Sequence, residues 1–516
     1  MRALFLALVA LGAFLRAYGL NRESLWNDEL STMARLDPGP WSEVFWTRIA
    51  ADVHPPGYLL FMSAWTSLFG NGELALRSPS ALAGVALIAA VHAFGARYFG
   101  PVAGLLAAAF CAVSPLHIRY SQEARSFALV TFTTFLAAWA LTELLQHPAP
   151  KERSLVADLR LHWRSLTALV LSAVISAYLS YVGFIAVAVL FAFGWATILL
   201  TARDRARRLL MATLLSLGCY LPWVHGLLQH LERGGLTWLD PPQLSDLYRA
   251  FSLALPLYAW ALLGGSIALA TAWRAAAKAS RESSDTPGAG ALGLWLAGWM
   301  AFGLPILFYV KSIVSTPIYN DRNLLVVVPF FALLAAVALA RTVPTRGALA
   351  AGLLIVTVVL VHFTWIDRFY TSPIKQDFRG AARHASAWLR NHSANAVVCL
   401  AWNKRYFSYY LRQDGIATEP TCSSRSEGAL SKLYTASGGD KPGKRSKAGK
   451  LGKAGKRSKG GKAGRAGQLG KGAAPVAFVY GHIRPSSAFW RQVRKDFVIV
   501  ERHDLHKAGA ALLRPR

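Results

Sequence analysis

The sequence predicts a polytopic α-helical membrane protein carrying a small extracytoplasmic α/β domain at its C-terminal end. Three observations carry that prediction. Hydrophobic residues make up 54% of the 516, the mean hydropathy is +0.33, and charge-poor runs long enough to span a bilayer recur up to about Thr364. Only 16% of residues are charged although the formal net charge is +29, so the basic residues are concentrated in loops and in the tail. After about Thr371 the apolar runs give way to short, alternating helix and strand signals.

Apolar spans are read at 3–20, 73–97, 101–118, 124–145, 165–181, 182–201, 208–228, 250–273, 290–310, 323–341 and 347–366, about eleven crossings. The first follows Arg2 and ends at Arg16 to Asn21 without an A-x-A cleavage site, the pattern of an uncleaved signal anchor. The run 56–69 would be only about 20 Å long as a helix, too short for about 30 Å of hydrocarbon, and is placed at the membrane surface. The long run 165–201 is divided near Ser180-Tyr181. A cytoplasmic N-terminus puts Arg97, 151–164, Arg203, Arg205, Arg207, Arg208, Arg274, Lys278, Arg281, Arg341 and Arg346 inside, as the positive-inside rule requires. The same alternation places 21–72, 119–123, 229–249, 311–322 and everything after Asp367 outside. Counting 56–69 as a crossing would reverse all later loops.

The expected domains are 1–370, a membrane unit whose first outer loop is 21–72, and 371–516. In the second, 378–389, 404–411 and 487–493 read as helices, and 396–402, 476–480 and 497–501 as strands, an α/β domain. It is interrupted by 441–472, which holds twelve Lys or Arg and no acid and is expected to be disordered. Two readings of that tract stay open: a solvated insertion, or electrostatic attachment to anionic lipid headgroups or envelope polymer. Nucleic acid is not an expected partner outside the cell. The four cysteines have no metal-ligand spacing. Cys111 and Cys219 read as packing residues, whereas Cys399 and Cys422 are candidates for a disulfide in an oxidising compartment.

Four outer segments carry candidate chemistry. Trp26-Asn27-Asp28-Glu29 sets two carboxylates beside an interfacial aromatic. A carboxylate there can take a proton from an acceptor, and on its own the pair also reads as hydrated loop acids. His54-Pro55-Pro56-Gly57-Tyr58 opens the surface helix, with proline fixing its start and His54 a candidate for a phosphate oxygen or a metal. A structural turn is the plainer alternative. Arg119-Tyr120-Ser121-Gln122-Glu123-Ala124-Arg125 places charges at a membrane edge, where they are usually paired or functional. Tyr319-Asn320-Asp321-Arg322-Asn323 offers an arginine suited to two-pronged phosphate binding, or equally a helix-end anchor.

In this order, with Glu73 to Ser80 (E-L-A-L-R-S-P-S) between the second and third, these segments resemble the bacterial membrane glycosyltransferases of the GT-C fold. The similar group is family-39-like, related to protein O-mannosyltransferases and aminoarabinose lipid A transferases. The tail segment Gln376-Asp377-Phe378-Arg379-Gly380-Ala381-Ala382 is similar to the start of the soluble domain in the same group. The resemblance implies an inverting enzyme of the bacterial inner membrane that moves a sugar from a polyprenyl phosphate to a lipid, protein or glycan acceptor at the outer face. It makes Asp28 the catalytic base and Glu123 a second acid, with Glu29 assisting or ligating a metal. His54, Arg125 and Arg322 would bind the donor phosphate, and Asn27, Tyr58, Arg77, Tyr120 and Gln122 are candidates for substrate contacts. No cofactor is required, and a divalent metal at Glu29 or His54 stays open. Some relatives place an acid immediately before H/K-P-P, whereas here Val53 stands there and Asp52 one residue earlier. A nucleotide sugar is disfavoured by the outer site and by the absence of a G-x-x-x-x-G-K-[ST] loop. Rival readings are a lipid-linked saccharide flippase, an envelope polymerase or ligase using a polyprenyl diphosphate, and a membrane-anchored scaffold.

Overall fold

A computed structural model describes residues 1–36, 39–147, 155–201, 205–232, 239–246, 289–438, 474–481 and 483–516, with the side chains of 155–160 left aside. The chain divides into two compact units, Met1–Leu20 with Arg35–Thr371, and Asn21–Ala34 with Ser372–Arg516. Residues 21–34, read from the sequence as the start of the membrane unit's first loop, group instead with the tail. The expected span at 250–273 and the basic tract 441–472 lie outside the described residues.

The first unit is helical: α1 (Arg2–Ala17), then, after a segment that belongs mostly to the second unit and is described there as α2 (Asn27–Arg35), α3 (Gly57–Phe69), α4 (Glu73–Phe99), α5 (Pro101–Val113), α6 (Pro115–Ser121), α7 (Phe127–Gln146), α8 (Leu155–Leu179), α9 (Tyr181–Thr201) and α10 (Ala206–Glu232). It continues with α11 (Ala289–Gly298), α12 (Leu304–Val314), a 3-10 turn Asn323–Val327 leading into α13 (Val328–Thr342), and α14 (Thr345–Val361). Among the described residues, seven helical stretches are long and apolar enough to cross a bilayer, or eight if the bent pair α5 and α6 is one span. The about eleven expected crossings are therefore not matched one for one. α1 has 16 residues and spans about 24 Å, and α8 begins within the basic stretch that was expected to be loop.

α5 and α13 are buried on every side, so their sequences read as apolar without a polar face. By contrast, only 22% of the apolar windows of α10 and of α14 is buried, leaving many of their leucines and valines exposed.

The expected single span 101–118 is broken by 59° between Val113 and Pro115. Pro115 has no N–H, so the Cys111 carbonyl loses its helical partner. Ser114 starts the next helix by accepting the His117 N–H at 3.4 Å. The freed carbonyls are taken by a buried cation from α1: Arg16 donates to Cys111 at 3.1 Å, Ala112 at 3.0 Å and Gly12 at 3.0 Å, and meets His117 Nδ1 at 2.9 Å. Arg16, at the end of the first apolar run, is fully buried. Gly84 makes room for it, since a Cβ there would lie 2.3 Å from Ser121 Oγ and 2.7 Å from Arg16 Nε.

The second unit holds α2, α15 (Phe378–Arg390), β1 (Ala396–Leu400), α16 (Arg405–Gln413), β2 (Thr421–Ser423), α17 (Ser426–Ala436), β3 (Val476–Gly481), α18 (Ser487–Asp496), β4 (Phe497–Leu505) and β5 (Ala508–Pro515). The sheet order is β2-β1-β3-β5-β4, with β1 parallel to β2 and β3, and β5 antiparallel to β3 and β4. Val398, Leu400, Phe478 and Tyr480 face α17 and α18 through Leu433, Tyr434, Phe489 and Trp490. The alternate residues face α15, where Gly481 packs against Phe378. Cys399 and Cys422 sit opposite one another on β1 and β2 and form a disulfide, with Cα atoms 4.3 Å apart. β2, α17 and β5 were not anticipated.

Replacing Arg16 with methionine keeps the volume but removes the donors to two backbone carbonyls. The expected net cost is about 2 kcal/mol, read as an earlier thermal unfolding midpoint in detergent. A midpoint equal to that of the wild type would show that the bend does not depend on this side chain.

Candidate functional site

In the membrane unit, the H-P-P-G-Y segment is seated where α3 meets the end of α8. Gly57 touches the Tyr178 backbone so closely that a Cβ would lie 2.6 Å from its carbonyl oxygen. Just before it, buried Asp52 forms an ion pair with Arg35, accepts from the His54 backbone N–H at 3.0 Å and meets His54 Nδ1 at 2.6 Å. Burial opposes ionisation of Asp52. The hydrogen bond from His54, then the charges of His54, Arg35 and Arg125, outweigh it and hold the carboxyl at about 2. Asp52 was set aside in the sequence for standing one residue too early, yet it is the acid that orients His54.

The Y-S-Q-E-A-R segment is fixed from three sides. Gln122 Nε2 lies 3.1, 3.2 and 2.9 Å from the carbonyls of Leu15, Arg16 and Tyr18, closing the end of α1. Ser80 donates to the Arg125 carbonyl at 2.9 Å, and buried Arg77 donates to the Leu20 carbonyl at 2.7 Å. These contacts give Gln122 and Arg77, expected at substrate, framework roles as well. Tyr120 and Tyr58 are buried. The Tyr120 ring meets Phe127 edge-on at 5.5 Å, in a cluster with Leu116, Leu325 and Val328.

That cluster brings the second arginine motif to the first. Ser312 Oγ accepts the N–H groups of Ile318 and Tyr319 at 2.8 and 2.9 Å, and Asn323 Nδ2 donates to Ile318 O at 2.7 Å, so the Y-N-D-R-N loop is held at both ends. Arg322 then lies 6.0 Å from the centre of the Phe127 ring, and Arg125 lies 5.8 Å from the same centre. Tyr120 is within electrostatic reach of Glu123, Arg119, Arg322 and Asp321. A narrow crevice beside Arg322 is lined by Phe127, Val130, Thr131, Ser180, Val182 and Asn323. His54, Glu123, Arg125 and Arg322 thus belong to one charged cluster, to which Asp52, Arg35 and Phe127 are additions.

In the tail unit, Asn27, Asp28 and Glu29 open α2. Glu29 is fully buried, accepts the Trp26 N–H at 3.2 Å, and pairs with Lys375 at 3.1 Å. Asp28 is half-buried, and its Oδ1 accepts from Asn27 Nδ2 at 3.4 Å. The segment is stitched to the tail by backbone contacts: Leu25 N–H to the Tyr410 hydroxyl at 2.6 Å, Lys375 N–H to Glu23 at 3.2 Å, and Arg379 to the Asn21 carbonyl at 3.0 Å. Glu29 is therefore engaged within its own unit, while Asp28 keeps the more open carboxylate of the two.

Comparison with solved structures decides the fold. ArnT from Cupriavidus metallidurans in the apo state matches with a TM-score of 0.60 at 15% identity, covering 99% of this chain and 97% of that one. The GT-C fold is the fold of this chain. The ArnT structure bound to undecaprenyl phosphate matches at 0.59 and 14% identity, with the same coverage. The oligosaccharyltransferase AglB from Archaeoglobus fulgidus, in complex with an inhibitory peptide and a dolichol-phosphate, matches at 0.52 and 12% identity over 81% of this chain and 64% of that one. The family model described as dolichyl-phosphate-mannose-protein mannosyltransferase matches residues 53–159, which hold the H-P-P and Y-S-Q-E-A-R segments of this GT-C chain. No curated protein sequence matches the chain.

Because the Asp52 carboxyl is held below its ordinary 3.8, at about 2, it adds stability that is complete above the unfolded value and is lost as pH falls through the folded one. The contribution is about 2 kcal/mol. Asp52→Asn is expected to be less stable by about that amount at pH 7, with the gap to wild type narrowing below pH 4 in denaturant unfolding. A gap that stays constant down to pH 3 would show that the charge on Asp52 does not hold the site.

Proposed function

We propose that this GT-C chain is an inverting glycosyltransferase that moves a sugar from a polyprenyl-phosphate donor to an acceptor at the outer face of the cytoplasmic membrane. The observation that carries the reading is the convergence of Arg125 and Arg322 on Phe127, in the cluster that also holds the Asp52–His54 pair. Guanidinium groups bind phosphate oxygens in two-pronged fashion, and two of them meet here on one aromatic ring. ArnT, the same fold, has been solved with undecaprenyl phosphate bound.

In the proposed reaction, Asp28 accepts the proton of the acceptor hydroxyl or amine. The acceptor atom bonds to the anomeric carbon on the face opposite the phosphate. The bond from that carbon to the phosphate oxygen breaks, the configuration inverts, and polyprenyl phosphate leaves. Arg125, Arg322 and His54 stabilise the charge that develops on the leaving phosphate. Asp52 acts one step back, by fixing His54 through Nδ1. Glu123 is proposed as the second acid of the same reaction. The disulfide between Cys399 and Cys422 fits a tail outside the reducing cytoplasm, as does the distribution of basic loops. The sugar and the acceptor follow from experiment, with lipid, protein and glycan acceptors all compatible with this chemistry.

Membranes containing the wild type are expected to transfer label from one member of a panel of polyprenyl-monophosphate sugars. Asp28→Asn and Arg322→Ala are each expected to lower kcat by about 100-fold or more, with folding checked by gel filtration. Undiminished transfer by Asp28→Asn would remove Asp28 as the base. No transfer from any monophosphate donor would shift the assignment to a flippase or a diphosphate-dependent ligase.

A further inference from the structure

The tail unit holds a cluster that the proposed transfer reaction does not use. His384 lies on α15, and Glu501 and His503 lie two residues apart on β4, the edge strand of the sheet. Residues at that spacing share one side of a strand. One ligand-type atom from each of the three lies within 4.8 Å of the other two. The two imidazole rings stack with centres 3.6 Å apart and planes 14° apart. His503 Nε2 is 2.5 Å from Glu501 Oε1, and Trp388, one turn along α15 from His384, donates its indole N–H to Glu501 Oε2 at 2.9 Å.

We propose that His384, Glu501 and His503 form a binding site for a divalent transition metal, with zinc the best-suited ion. Two imidazole nitrogens and one carboxylate oxygen are a donor set that zinc takes with a water in the remaining position, whereas calcium and magnesium favour all-oxygen sites. Bonds of about 2.0 Å in tetrahedral geometry set ligand atoms roughly 3.3 Å apart. Closing from the observed spacing therefore asks for side-chain adjustment of roughly 1.5 Å at most. The exposed position of Glu501 leaves an open path for the ion and for the water that completes its shell.

The Trp388 indole N–H, donated to Glu501 Oε2, leaves Oε1 turned toward His503. Trp388 thereby fixes the carboxylate as outer partners of metal ligands do. Metal binding would displace the proton of the His503–Glu501 hydrogen bond and add a second link between α15 and β4, beside that of Trp388 to Glu501.

The test uses full-length protein in detergent, purified without a histidine tag, stripped with chelator and titrated with zinc by calorimetry. Wild type is expected to bind one equivalent that both Glu501→Gln and His503→Gln lose, while the metal-free variants keep the wild-type circular dichroism spectrum. Trp388→Phe is expected to weaken that equivalent by about 10- to 100-fold, and binding should weaken as the pH falls below 6. Both glutamine variants lie on the edge strand β4, so the test does not depend on altering His384 within α15. The same stoichiometry and affinity in wild type and His503→Gln, or no binding by the stripped wild type, would overturn the proposal and leave a proton-sharing cluster only.

Discussion

The contact of Arg16 with the broken helix is the constraint on which the membrane unit's site depends. A proline in a buried helix frees backbone carbonyls, and in an apolar interior those groups need another partner. Arg16 supplies it from α1. A buried guanidinium is itself costly, and the cost is offset here because the carbonyls of Gly12, Cys111 and Ala112 and the ring of His117 surround it. The bend ends α5 early and turns α6 aside, while Gln122 closes the end of α1 in return. One polar exchange between two helices thus sets where Glu123 and Arg125 stand, before any substrate is considered.

Electrostatics then explains how several cations share a small volume. Arg35, His54 and Arg125 all act on Asp52, whose carboxylate is held ionised despite burial. Without that acid Arg35 and Arg125 would lose a shared counter-charge in a medium that screens weakly. With it, the cluster keeps its shape and stays rich in positive charge, the balance suited to a leaving phosphate. Phe127 contributes a further attraction, since its ring lies against both Arg125 and Arg322. The same logic of a buried acid under local obligations applies in the tail unit, where Glu29 caps α2 and holds Lys375.

Much of this was legible in the sequence because it rests on local pattern. The division at Ser180-Tyr181 appears as expected, with α8 ending at Leu179 and α9 beginning at Tyr181. The strand at Val476–Gly481 and the amphipathic helix at Phe378–Arg390 follow from apolar spacing. β5 escaped because Ala508-Gly509-Ala510-Ala511 has little strand propensity and is held by its two neighbours instead. The membership of Asn21–Ala34 in the tail unit was not legible, since backbone groups of Leu25, Lys375 and Asn21 carry many of the contacts and leave no side-chain pattern. Among the residues of the candidate cluster, the motifs point to His54, Glu123, Arg125 and Arg322. Asp52 is not legible from spacing, because only a turn of the chain brings its carboxylate back to His54. Arg16 could have been noticed as a charge at the end of an apolar helix in a chain whose span 101–118 contains a proline.

The central claim, that the arginine cluster of the membrane unit recognises a lipid-linked phosphate, is tested most directly by native mass spectrometry with undecaprenyl phosphate. The account predicts one bound lipid on the wild type, weakened at least tenfold in the double variant Arg125→Ala with Arg322→Ala, and no competition from undecaprenol, which lacks the phosphate. Equal retention of the phosphorylated lipid by wild type and variant, or equal binding of undecaprenol, would contradict it.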